Sequence, residues 1–166
     1  MRVVKVLQAA VIALSGMVAQ PAMAEEDIGL SDQQTKRTVD IFNFGVSECA
    51  KVDMVYRIDC LRQTYSQTVR VISKASVYWE AEVALTRVNR GLYSFVRANT
   101  DSDQGRERVN GGRIKAVTEA SLPQAIQLYV AAADRAAEVL RSGSSVEVEY
   151  FGPIADAVEA SKALLQ

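Results

Sequence analysis

Two cysteines, Cys49 and Cys60, bound the segment CAKVDMVYRIDC, and their spacing limits what the surrounding chain can fold into. On one helix, residues eleven apart share a face but stand about 16 Å apart along the axis. A disulfide needs its α-carbons within about 7 Å. If the two pair, the chain must reverse between them.

The start of the chain argues that they do pair. Arg2 and Lys5 precede an apolar run from Val6 to about Val18, and Ala22-Met23-Ala24 supplies an A-x-A exit. This is the pattern of a secretory signal peptide over residues 1–24, with the mature chain starting at Glu25. The run contains Gln8 and Ser15 and falls short of the roughly 18 to 20 apolar residues of a membrane span. Export leads into an oxidising space, where an even number of cysteines pairs as a structural staple. The expected destination is the bacterial periplasm, or release outside the cell as a secreted protein. A spacing of eleven is unlike the close C-x-x-C arrangement of redox-active pairs.

The flanks supply the reversal. Val39, Phe42, Val46, Cys49 and Ala50 recur at helical spacing and predict a first helix over 31 to about 51, opened by Ser31 and Gln34 in a capping-box pattern. Ile58, Leu61, Tyr65, Val69 and Ile72 form the stripe of a second, with Asp53 as N-cap and Cys60 to one side. The Cys49–Cys60 spacing is similar to that of exported lysozyme-inhibitor-like proteins; the likeness covers about a dozen residues and implies no function here.

Helical character continues to residue 98 without proline, yet the stripe of Ala81, Leu85, Val88, Leu92 and Phe95 faces nearly opposite to the preceding one. Either the helix breaks between Ser73 and Trp79 or one long helix meets different partners. The absence of a strong breaker favours the single helix. Tyr78, Trp79, Tyr93 and Phe95 read as core packing. Residues 100–112, TDSDQGRERVNGG, read as a surface loop, followed by a short helix over 113–119.

Ser121, Pro123 and Gln124 predict the next helix start, with Leu122, Ile126, Tyr129, Ala133, Ala136 and Leu140 inward and Gly143 at its end. Val146 and Val148 alternate with glutamates as an extended connector, Phe151-Gly152-Pro153 marks a turn, and a last helix runs over 154–165. The fold class expected is all-α, a single domain over 25–166 built as a bundle of four to five helices, after a polar leader over 25–30.

The chemistry is narrow. The chain has no histidine, which removes Ser-His-Asp and Cys-His catalysis and histidine-ligated metals. Asp101-Ser102-Asp103 opens like a calcium loop, but its glycine comes one position early and position twelve is Gly112, so no metal site is expected. Glu80 and Glu82 do not share a helix face. Neither a cofactor motif nor a catalytic constellation is present. Arg106, Arg108, Arg113 and Lys115 gather around Gly111-Gly112 at an expected helix start, a place for an anion or partner contact, although Asp101, Asp103 and Glu107 dilute their charge. A solvated loop is the plainer account of them.

Loss of Arg2 and Lys5 with the leader takes the formal charge from −1 to −3, which disfavours nucleic acid as a partner. The function expected is a non-enzymatic envelope protein that binds a protein partner as inhibitor, adaptor or assembly factor. The alternative is a bundle that carries or senses a lipid or other apolar small molecule. A carboxylate-dependent hydrolase ranks below both.

Overall fold

A computed structural model describes residues 29–166; the signal-peptide reading of 1–24 lies outside them. Five α-helices follow in order: α1 (Asp32–Cys49), α2 (Met54–Ile72), α3 (Trp79–Asn99), α4 (Leu122–Arg141) and α5 (Ser145–Ala160). Each packs on the next, and α5 returns to α1, so the bundle closes on itself. Between α3 and α4 lies an antiparallel hairpin, β1 (Glu107–Val109) and β2 (Gly112–Ile114). Among the described residues no helix is long and apolar enough to cross a membrane.

The expected staple is present. Cys49 and Cys60 form a disulfide with α-carbons 5.6 Å apart. Cys49 ends α1, the chain turns over residues 50–53, and Cys60 lies nearly two turns into α2. Arg57 clamps that turn, donating to the carbonyls of Val52 at 3.0 Å and of Leu164 at 2.8 Å. The disulfide packs with Val52 and Ile114 in a small core of its own, against which Val109 and Leu164 rest.

The α1 seam is rotated from the expected one. Thr35, Thr38, Phe42, Gly45 and Cys49 are buried, Val39 and Val46 flank them, and Ala50 is exposed. Threonine can sit inside because its hydroxyl finds a local acceptor: Thr38 donates to the Gln34 carbonyl, as Thr64 and Thr68 do to Cys60 and Thr64. Leu30, assigned to the polar leader, is also part of the core. Only half of the capping box forms, since the Ser31 side chain accepts from Gln34 N–H while the Gln34 amide donates to the Val71 carbonyl instead.

The single helix expected over 54–98 is corrected to two. The chain leaves α2 at Ser73, Ala75 is extended, and a 3-10 turn over Ser76–Tyr78 leads into α3. Reversal brings the two oppositely phased stripes onto one core. Tyr78 fixes the corner by donating its hydroxyl to the Ser31 carbonyl at 2.9 Å and meeting the Thr35 hydroxyl at 2.8 Å. Tyr78 and Phe95 are buried as expected, whereas Trp79 and Tyr93 are exposed.

Two further elements differ. The helix expected over 113–119 is replaced by β2 and the strand-like chain after it, because Asn110 and Gly111 both take positive φ, 46° and 76°, and turn the expected loop into a hairpin. The extended connector and turn expected before residue 154 are helical: Ser144 and Glu147 close a full capping box, and α5 runs through Pro153. Gly152 permits this by placing no Cβ against the proline ring, and the Glu149 carbonyl that loses its helical donor belongs to an exposed residue. Ser121, by contrast, caps nothing with its side chain, which donates to the Thr118 carbonyl. Residues Ser161–Leu165 close the chain as a 3-10 helix.

Candidate binding face on the hairpin

One row of α2 side chains holds the hairpin in place. Tyr56, Asp59, Gln63 and Gln67 recur at spacings of three and four, so they share a face. Tyr56 donates its hydroxyl to the Gly105 carbonyl at 2.9 Å, and Gln63 donates to the Arg113 carbonyl at 2.6 Å. Gln67 accepts from Asn110 at 3.3 Å, and Asp59 accepts from the Lys115 N–H at 2.8 Å. Val117 N–H adds a bond to the Val55 carbonyl, and Thr100 bridges to Val117 at the hairpin's base.

With the hairpin so fixed, its two faces differ. Ile114 and Val109 point to the disulfide core. Arg108 is registered opposite Arg113, so their side chains share the other face. Arg106 and Lys115 follow in the same alternation one step beyond the strands, and both line one cleft of about 210 Å³ with Thr100 and Asp101. All four basic residues singled out in the sequence thus fall on one side of a hairpin, not at a helix start.

A second cleft of about 240 Å³ adjoins the first and shares Lys115 with it. Its walls are Asp59 and Arg62 from α2, Tyr93 and Arg97 from α3, and Arg113 and Lys115 from the hairpin. Asp59 is buried and pairs with Arg62 Nε through one oxygen while the other holds Lys115 N–H. The Arg62 guanidinium lies 5.9 Å from the centre of the Tyr93 ring, within cation–π range. Tyr93 is 52% exposed. Among the described residues, Arg97, Arg113 and Lys115 make no ion pair.

The cleft therefore gathers four cations around one carboxylate that is already engaged. Such a surface attracts anions, and its tyrosine offers an aromatic face beside them. Both clefts are smaller than the roughly 300 to 1,000 Å³ usual for drug-sized ligands. Charged side chains line both, and Val96 and Tyr93 add apolar surface to the inner one. Among the described residues no group of histidine, cysteine and carboxylate is placed to hold a metal.

Sequence reasoning missed Arg62, Tyr93 and Arg97. Tyr93 and Arg97 stand four apart on α3, and Asp59 and Arg62 three apart on α2, so each pair was readable; that the pairs face each other was not. Known protein families, curated proteins and solved structures offer no match to this chain.

Proposed function

We propose that this is an exported, non-catalytic protein of the bacterial envelope, and that it acts by binding a partner protein through the hairpin and the cleft beneath it. The observation that carries the reading is the convergence of Arg97, Arg113 and Lys115, none in an ion pair among the described residues, on a half-exposed Tyr93. Tyrosine and arginine are the residue types enriched where interfaces are anchored. The leader pattern over 1–24 and the buried disulfide support the periplasm as its place of work.

A photo-crosslinking residue at position 93, installed in the protein expressed in a bacterial periplasm, tests the reading. A discrete protein adduct is expected, and none from the same residue at Arg135, an exposed position on α4. Equal labelling from both positions, or none from 93, overturns it.

A further inference from the structure

We propose that the partner segment seated on this face is acidic, an extended stretch of polypeptide rich in Asp and Glu that runs along the hairpin from the Arg106 end to Tyr93. The inference rests on the partner-binding reading and names the chemistry of the partner. Its first support is the like-charge pairing of Arg108 and Arg113 across the strands. Like charges directly opposite destabilise a ladder, and an anion laid between them relieves the repulsion. Its second support is length. The two clefts adjoin through Lys115, so the cations form a strip and not a single nest.

A strip suits a polymer with spaced negative charges. A compact phosphate would engage one cleft and leave the other empty. Arginine supplies most of the cations, and its planar fork matches a carboxylate in two parallel hydrogen bonds. Asp101 in the outer cleft and Asp59 in the inner one weaken the field for a dense polyphosphate more than for carboxylates set apart along a chain. The face of Tyr93 not covered by Arg62 is free to receive an apolar or aromatic side chain between the acidic ones.

The experiment compares three probes on the purified mature protein: a fluorescein-labelled peptide of alternating glutamate and serine, inorganic pyrophosphate, and phosphatidylcholine vesicles containing phosphatidylglycerol. The peptide is expected to bind, to weaken as sodium chloride is raised, and to lose about tenfold or more of its affinity in the Arg113→Glu, Lys115→Glu double variant. Arg135→Glu serves as the control and should leave binding unchanged. Circular dichroism of each variant confirms that the fold is intact. Binding of pyrophosphate or of the anionic vesicles without the peptide overturns the proposal, as does absence of binding to all three. The crosslink at position 93 separates the two readings. An adduct whose attached partner segment is neutral or basic sinks the acidic-segment proposal and spares partner binding, while no adduct sinks both.

Discussion

Asp59 and Lys115 meet through a single hydrogen bond, the Lys115 N–H donating to Asp59 Oδ2 at 2.8 Å, and it joins the interior of α2 to the base of the basic hairpin. Asp59 is 2% exposed, and its other carboxylate oxygen holds Arg62. Asp59→Ala removes both acceptors and leaves the Lys115 N–H and Arg62 without their partner. A loss of about 3 kcal/mol is expected in urea unfolding, with about 1–2 kcal/mol for Asp59→Asn, which keeps one acceptor. The hairpin amides should exchange with solvent faster in both variants.

The disulfide has a corresponding local readout. Cys49, Cys60, Val52 and Ile114 form one small core, so the bridge supports the hairpin as well as closing the α1–α2 turn. The double variant Cys49→Ala, Cys60→Ala is expected to lose about 2–3 kcal/mol by the chain-entropy estimate for so short a loop. Hydrogen exchange should rise first around β2 and the α1–α2 turn, and last in α4, which is not part of that core. Uniform loosening of the whole bundle would contradict this.

Two glycines inside helices should answer alanine in opposite ways. A Cβ on Gly45 would lie 2.5 Å from Thr64 Cγ2 and 2.6 Å from Thr64 Oγ1, where α1 and α2 approach closely. Gly45→Ala is expected to cost about 1–3 kcal/mol, and much less in a Thr64→Ala background, because that change removes both clashing atoms. A Cβ on Gly91 in α3 meets only Leu128 at 4.0 Å. Gly91→Ala should therefore stabilise by about 0.5–1 kcal/mol through the lower entropy of the unfolded chain. Thermal melts of the four variants decide the matter.

The same contrast shows where the sequence was legible. The cysteine spacing, the apolar stripes of α2, α3 and α4 and the turn after Cys49 are local patterns, and each carries its own period or geometry. The buried threonines of α1 were not, because a period count scores Thr38 as polar while its bond to the Gln34 carbonyl lets it lie inside. The break after Ile72 has no breaker residue; it follows from two stripes that must face one core. In 145–153 a proline and alternating valines mask the helix, and the Ser144–Glu147 cap that opens it is a signal the sequence expectation passed over. Strands of three residues are too short to show alternation, so the hairpin was visible only as Asn110-Gly111 in a polar loop. The basic residues were visible as a cluster, but the cleft draws Tyr93, Arg97 and Arg62 from two helices, and only packing brings those together.

Alkaline pH should destabilise the bundle through its buried tyrosines. Tyr65 and Tyr129 approach hydroxyl to hydroxyl at 3.3 Å, and Tyr129 continues to Ser161, whose hydroxyl lies within reach of the Val158 carbonyl. Burial pushes the Tyr65 phenol well above its ordinary value near 10, and charge repulsion from Tyr129 adds to the effect. Burial also raises Tyr129, against the hydrogen bonds from Ser161 and Tyr65. A phenol whose folded pKa is raised keeps its proton while the unfolded chain releases it. The stability it contributes is therefore complete below the unfolded value of about 10 and is lost as pH climbs from there through the folded value. At full effect each such group removes about 1.4 kcal/mol per pH unit. Urea midpoints between about pH 9 and pH 11.5 should fall more steeply for the wild type than for Tyr65→Phe, which has one phenol fewer to ionise. Parallel curves would show that Tyr65 releases its proton in the folded protein, and the buried hydroxyl chain would then have to open to water without unfolding the bundle.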